Sequence, residues 1–325
     1  MVGIAYSHTT MLPMYIDSID VHIKAMRKNI FKGYGVAVVT PFTPEGNIDF
    51  YALREHIAYL IEKGEADYLC VLGTTAETPT LTTEEKEMLL ETFVETVGGR
   101  VPLLLGCGSN DTLHLCEYLE TANLDGFDGI LVVAPYYNKP TQEGLYRHYL
   151  AVAAASPLPI VLYNIPGRTG VNLLPQTVVR IANDCSNVVA IKEASGNLGQ
   201  VEQIIAQAPD GFEVISGDDA IAFEIITLGG VGLISAVGNA FAEEMGELVH
   251  ATIEGKMDAA LDVHRKMADV FRLAFVEGNP AGVKALMQLR GMCSNTLRLP
   301  LVPVSTSTME EMQDALEKFG GAELY

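Results

Sequence analysis

The sequence predicts a (β/α)8 TIM barrel followed by a small C-terminal helical domain. Eight short apolar runs rich in β-branched residues recur from Gly33 onward, and helix-periodic segments separate them. The runs are continuously apolar rather than alternating, as in a parallel sheet covered on its outer face. Eight such units favour a closed barrel over an open doubly wound sheet, and barrels of about 250 residues form one domain. The barrel is expected over 31–255 and the helical domain over 256–325.

The strands are expected at 35–40, 67–72, 101–107, 129–134, 159–164, 188–192, 212–216 and 231–236. Between the first two, 50–62 places Leu53, Ile57, Leu60 and Ile61 on one helical face. A helix over 84–97 follows Thr82 and Thr83, which are suited to capping. Beyond the eighth strand, amphipathic helices are expected at 243–254, 257–276 and 280–290, then a polar tail. Residues 1–30 do not share this pattern and read as an extension that is disordered or dispensable, with Met26 an alternative start of translation. They lack the uninterrupted apolar stretch of a signal peptide or membrane span.

A formal net charge of −20 argues against nucleic acid or an anionic membrane as partner. A soluble cytoplasmic protein is expected, in which local cations attract any anionic substrate. Cys70, Cys107, Cys116, Cys185 and Cys293 are odd in number, scattered and form no CxxC pair, so reduced core thiols are expected. The histidines show no HxxxH or HxH spacing, and no metal is expected. Thr40-Pro41-Phe42 after the first strand, in place of a glycine-rich fingerprint, argues against a nicotinamide cofactor.

Barrel chemistry sits at the C-terminal ends of the strands. The polar residues there are Gly73-Thr74-Thr75-Ala76-Glu77, Tyr136-Tyr137-Asn138, Tyr163-Asn164 with Arg168, Lys192-Glu193 and Gly217-Asp218-Asp219. Lys192 stands out because it closes the apolar run Val188-Val189-Ala190-Ile191. Desolvation favours a neutral amine, which attacks carbonyls to form a Schiff base whose iminium is an electron sink. Phenols and hydroxyls move the protons, and Arg168 offers a planar fork for a carboxylate. Plainer readings stand beside these. Lys192 can be a strand-end lysine reaching solvent, the tyrosines core filling, the threonines turn caps, and Arg168 a surface cation. Glu77 and Glu193 read as partners for backbone amides, and Gly106-Cys107-Gly108 as tight packing rather than a phosphate cradle.

At these residues the chain resembles the dihydrodipicolinate synthase / N-acetylneuraminate lyase family of pyruvate-dependent class I aldolases. The resemblance runs from about Gly33 to Pro303. It rests on Thr40-Pro41-Phe42, Gly73-Thr74-Thr75, Tyr136-Tyr137-Asn138, Tyr163-Asn164, Ile191-Lys192-Glu193, Ser216-Gly217-Asp218-Asp219 and Leu297-Arg298-Leu299-Pro300, in that order. It implies that Lys192 forms the Schiff base with pyruvate, that Tyr163 is the acid/base, and that Thr74 and Tyr137 complete a proton relay. Tyr137 would enter the neighbouring subunit's site, which implies a homodimer and, by the family, a homotetramer. Thr75 would hold the pyruvate carboxylate, with Gly217 and Ile234 lining the pocket.

Arg168, in Asn164-Ile165-Pro166-Gly167-Arg168, resembles the carboxylate clamp of the synthase branch, which the sialic acid lyase branch lacks. The resemblance therefore implies condensation of pyruvate with L-aspartate 4-semialdehyde on the diaminopimelate and lysine pathway, with no cofactor beyond the covalent Schiff base. The alternatives are another 2-oxo acid aldolase, such as an N-acetylneuraminate or 2-keto-3-deoxy sugar acid lyase, or a barrel that binds a carboxylate without turnover. Ala76 departs from the family's usual glycine. Thr83, Lys86 and His114 depart from the side chains of lysine-sensitive relatives, although Asn110 and Tyr136 are kept, so weak or absent lysine inhibition is expected.

Overall fold

The structure is a computed structural model that describes residues 30–319. The expectations for the N-terminal extension and the Met26 start therefore lie outside the described residues, Ile30 excepted. Eight parallel strands form the closed barrel that the sequence predicts: β1 Gly33–Ala37, β2 Tyr68–Val71, β3 Leu103–Cys107, β4 Gly129–Val133, β5 Ile160–Asn164, β6 Val188–Glu193, β7 Glu213–Ser216 and β8 Gly232–Ser235. Each strand pairs with the next in sequence, and β8 closes on β1 with Gly33 opposite Gly232. That seam is tight. A Cβ on Gly232 would stand 2.0 Å from the Gly33 carbonyl oxygen, so only glycine fits.

Alternation along the strands divides the apolar residues between two cores. The barrel interior holds Ala37, Cys70, Leu104, Leu131, Val161, Tyr163, Ala190, Ile215 and Ile234. The larger core fills the space between sheet and helices, with Leu69, Leu105, Ile130, Leu162 and Ile191 facing Leu53, Leu89, Leu145 and Ile181. Helix starts are set by local chemistry. Asp49 accepts from the Ala52 amide at 2.9 Å at the head of Phe50–Glu62. Thr82 and Glu85 form a reciprocal capping box at Thr83–Val97, so Thr82 is the cap and Thr83 the first helical residue.

The structure departs from the sequence reading at three places. β1 ends at Ala37 rather than Thr40, because the Asn239 side chain takes over from the ladder. Its Nδ2 donates to the Ala37 carbonyl at 2.8 Å, and its Oδ1 accepts from the Val39 amide at 3.0 Å. The helix expected over 257–276 is two, Met257–Lys266 and Ala268–Val276, turning at Met267, where ψ is −4°. Neither proline nor glycine marks that turn in the sequence. The expected polar tail contains a helix, Thr306–Phe319, which buries Thr308, Met312 and Leu316 at a four-residue spacing. Its first turn is held by Glu277, which accepts from the Ser305 amide at 3.0 Å.

His56 donates from Nε2 to Asn239 Oδ1 at 3.0 Å, a direction fixed by the two carbonyls that Asn239 Nδ2 serves. Burial pushes the His56 imidazole down to about 4, against the pull of that hydrogen bond, and burial also pushes His148 down to about 4. In the unfolded chain both take up protons near 6.5. The stability they contribute is complete above that pH and is lost as pH falls towards 4. His56→Gln keeps an N–H donor for Asn239 but cannot titrate. Urea titrations through this window are expected to show a smaller acid loss in the variant, by up to about 1.4 kcal/mol per pH unit.

Candidate active site

Along β6 the period of two puts Ala190 and Lys192 on the inner face, and Ile191 and Glu193 on the outer. Lys192 is 6% exposed, and its side chain ends at the C-terminal mouth of the barrel. Its register partner on β5 is Tyr163, 5% exposed. The Lys192 Nζ stands 4.6 Å from the centroid of the Tyr163 ring. Gly217, just past β7, leaves room for the stem, since a Cβ there would stand 2.9 Å from Lys192 Cε and 3.0 Å from Cγ. The Gly217 amide is tied to the Glu193 carbonyl at 2.8 Å.

The ends of β7 and β8 are joined by Asp219, which is buried. Its carboxylate accepts from the Ser235 hydroxyl and, at 3.1 Å, from the Ala236 amide. Burial pushes this carboxyl up to about 6, against those two donors. The bond holds in place the strand ends that carry Gly217 and Ile234. Ile234 lies in the barrel interior with Tyr163. On the outer face of β6, Glu193 accepts from the Ser195 amide at 2.7 Å, as the sequence suggests. It also accepts from the side-chain amides of Asn164 at 2.9 Å and Gln200 at 3.0 Å.

After β2 the chain enters a single 3-10 turn, Thr74–Ala76, bracketed by two left-handed non-glycine residues, Leu72 at φ 53° and Glu77 at φ 56°. Such conformations persist where surroundings over-determine them. The Thr40 hydroxyl donates to the Ala76 carbonyl at 2.8 Å, and the Thr78 hydroxyl to that of Leu72 at 2.9 Å. Ala76 fits without left-handed strain, so its methyl leaves the turn intact. Glu77 accepts from the Arg298 amide at 3.0 Å, as the sequence suggests for a carboxylate there. It also forms an ion pair, not apparent in the sequence, with the Lys284 Nζ at 2.5 Å, both side chains being fully buried. Burial pushes the Lys284 ammonium down and Glu77 pushes it back; the ammonium also donates to the Thr296 carbonyl at 3.0 Å. The Arg298 guanidinium completes the brace, pairing with Glu85 at 2.6 Å and donating to the Gly46 carbonyl at 2.9 Å.

Tyr137 follows β4 at φ 72° and is 87% exposed. A left-handed tyrosine costs of the order of 1–3 kcal/mol, a strain typical of functional positions. Its amide reaches the Thr169 carbonyl at 3.3 Å. Arg168 lies in the one-turn helix Pro166–Thr169 and donates from Nη2 to the Asn279 carbonyl at 2.9 Å. Gly106 and Gly108 are packing glycines, as expected. A Cβ on Gly106 would meet the Leu72 carbonyl at 2.7 Å, and one on Gly108 would meet Val133 at 2.5 Å.

Lys192, Tyr163, Thr74, Thr75, Gly217 and Ile234 thus all belong to strands, or to the turns that follow them, at one end of the barrel. Among the described residues no group of three or more His, Cys, Asp or Glu side chains is placed to hold a metal ion. Sequence reasoning missed Asn279 and Lys284. The signal for Lys284 was one lysine inside the otherwise apolar segment Val283-Lys284-Ala285-Leu286-Met287.

Residues 30–319 match the model of the dihydrodipicolinate synthetase family. The chain belongs to this family. A 4-hydroxy-tetrahydrodipicolinate synthase of Phocaeicola vulgatus is 50% identical over 287 residues, 88% of this chain and 96% of that protein. The crystal structure of dihydrodipicolinate synthase from Thermotoga maritima superposes with a TM-score of 0.86 at 42% identity, covering 90% of this chain and 99% of that one. A dihydrodipicolinate synthase variant described as the first monomeric one also gives 0.86 at 42% identity, covering 90% and 98%. The family match spans the barrel and the C-terminal helices alike, so the Lys284 and Arg298 braces lie inside it.

Removing one partner of a buried ion pair strands a charge. Lys284→Met is therefore expected to cost about 3–5 kcal/mol in chemical denaturation. Adding Glu77→Gln is expected to recover most of that loss, because no unpaired charge remains.

Proposed function

We propose that this protein carries out the 4-hydroxy-tetrahydrodipicolinate synthase reaction, condensing pyruvate with L-aspartate 4-semialdehyde through a Schiff base on Lys192. One observation carries the proposal: a buried Lys192 at the barrel mouth, against the face of Tyr163 and with Gly217 leaving it room, in a member of this family. Burying a lysine head group in an apolar interior is costly unless it is paired or hydrogen-bonded.

In this reading the Lys192 amine attacks the pyruvate carbonyl carbon and water leaves, giving the imine. Tyr163 passes the protons that this step releases and consumes, with Thr74 and Tyr137 as relay partners. The methyl group then loses a proton to give the enamine, with the iminium as electron sink. The methylene carbon attacks the aldehyde carbon of the semialdehyde, whose carboxylate is clamped by Arg168. The substrate's own amine then closes on the imine carbon and expels the Lys192 amine. The route calls on no metal or organic cofactor. Thr75 holds the pyruvate carboxylate, and Gly217 and Ile234 line the pocket.

Tyr137 is assigned to the site of a neighbouring subunit. Its exposure and left-handed backbone support this, since a strained aromatic projecting into water has no use in a lone chain. The active unit is thus a homodimer, and a homotetramer pairs two of them. The catalytic barrel is assigned to 31–255 and the helical domain to 256–325, of which 320–325 lie outside the described residues. No helix among the described residues is long and apolar enough to cross a membrane, in keeping with work in the cytoplasm.

The first test is borohydride trapping with pyruvate followed by peptide mass mapping, alongside turnover coupled to the next reductase. Wild-type protein is expected to carry one pyruvate adduct on Lys192, and Lys192→Ala to lose both adduct and turnover. Arg168→Ala is expected to trap pyruvate normally while its KM for the semialdehyde rises about tenfold or more, the worth of a charge-assisted bond. Trapping without turnover of the semialdehyde would move the assignment to a 2-oxo acid lyase.

Lysine inhibition is proposed to be weak or absent. Lys86 lies in the first turns of Thr83–Val97, where its charge opposes a cationic effector, and Thr83 and His114 are both exposed. Initial rates are expected to hold at micromolar lysine, and half-maximal inhibition in that range would contradict the assignment.

A further inference from the structure

Among the described residues Asn279, between the helices Ala268–Val276 and Ala281–Leu289, is the one hydrogen-bonded to both carboxylate-binding groups of the proposed site. Its side-chain Nδ2 donates to the Thr75 Oγ1 at 2.9 Å, and its backbone carbonyl accepts from the Arg168 Nη2 at 2.9 Å. It is 8% exposed, and Thr75 is 3% exposed. Its Oδ1 is buried and has no hydrogen-bond partner among the described residues.

A threonine hydroxyl has one proton to give and two lone pairs with which to accept. With an amide N–H filling a lone pair of the Thr75 oxygen, the hydroxyl proton is left to point elsewhere. With the amide turned the other way, the carbonyl would draw that proton to itself, leaving the hydroxyl facing an anion with lone pairs. The structure turns Nδ2 towards Thr75 and Oδ1 away from it, the first of these two arrangements.

We infer that Asn279 is a positioning residue that sets the polarity of the Thr75 hydroxyl, committing its proton to the carboxylate of the first substrate. The inference rests on the function proposed above and adds a residue from the C-terminal helices to pyruvate recognition. The two ends of Asn279 have separable effects. The side chain acts on pyruvate through Thr75, whereas Arg168 is held by the backbone and is indifferent to the side chain.

The test uses the full-length protein in five forms: wild type, Asn279→Ala, Asn279→Asp, Thr75→Val, and Thr75→Val combined with Asn279→Ala. Two quantities are read, the pyruvate concentration for half-maximal borohydride trapping on Lys192, and the separate KM values for pyruvate and semialdehyde. Asn279→Asp places an acceptor and a negative charge beside Thr75. Its pyruvate values are expected to rise about tenfold or more, with a smaller rise in Asn279→Ala and an unchanged KM for the semialdehyde. In the Thr75→Val background Asn279→Ala is expected to add nothing, since the two residues act as one unit. That cycle decides the matter even where Asn279→Asp fails to fold.

Pyruvate values within twofold of wild type in both folded variants would overturn the inference, as would equal rises for both substrates or additivity with Thr75→Val. Absence of a trapped adduct in the wild type would instead overturn the proposed function, and this inference with it.

Discussion

A lysine side chain enclosed in the packed interior of a closed barrel is the constraint on which the rest of the site depends. Lys192 takes an inward position on β6, and inward positions of an eight-stranded barrel are filled by side chains from neighbouring strands. Its stem needs a vacancy, which Gly217 supplies, and its head needs a polarisable neighbour, which the Tyr163 ring face supplies at 4.6 Å. Both follow from register. Tyr163 sits opposite Lys192 on β5, and β7 ends at Ser216, opposite Glu193, so that Gly217 comes next to the lysine. A one-residue slip of β6 would turn Lys192 into the helix-facing core and Ile191 into the mouth. The outer-face network of Glu193 with Asn164 and Gln200 opposes that slip, because the slip would strand a buried carboxylate.

The same logic explains why the C-terminal helices brace the turn after β2. The Thr74–Ala76 turn is flanked by strained backbone that would relax without external support. Support comes from more than 200 residues away in sequence: Lys284 and Arg298 to Glu77, and Asn279 to Thr75. A buried pair such as Glu77–Lys284 is poor evidence of net stability, because desolvation consumes most of the attraction. It is better understood as specifying geometry. In the arrangement seen, Glu77 meets its ammonium and amide partners together, one through each carboxylate oxygen. The exposed pairs, such as Arg180 with Glu143, are screened by solvent and contribute little in comparison.

What could be read in advance divides along physical lines. Strands and barrel closure were legible because a parallel sheet buried on both faces writes itself as continuous apolar runs, and all eight were found near their observed places. Lys192 was legible as a charge at the end of such a run. The end of β1 was not, because the Asn239 side chain that terminates it lies 202 positions away from the Ala37 carbonyl it binds. The helix Thr306–Phe319 was hidden by its polar composition, with a buried stripe of only Thr308, Met312 and Leu316. Asn279 was invisible for another reason. Its importance lies in which atom it turns towards Thr75, and no pattern of residue types encodes that.

The charge of the chain sharpens the role of these local devices. Both proposed substrates carry carboxylates, and a protein of net charge −20 repels them at long range. At physiological ionic strength the repulsion is screened beyond about 8 Å, so capture is left to groups that touch the substrate. In the proposed function Arg168 is a guanidinium fork for one carboxylate, and Thr75 a single neutral hydroxyl for the other. A neutral donor holds an anion only when its proton is committed in the right direction, and a freely rotating hydroxyl shares its time among acceptors. An acidic protein that recognises pyruvate with a threonine therefore needs that hydroxyl oriented beforehand. The buried amide of Asn279 is the group in position to orient it.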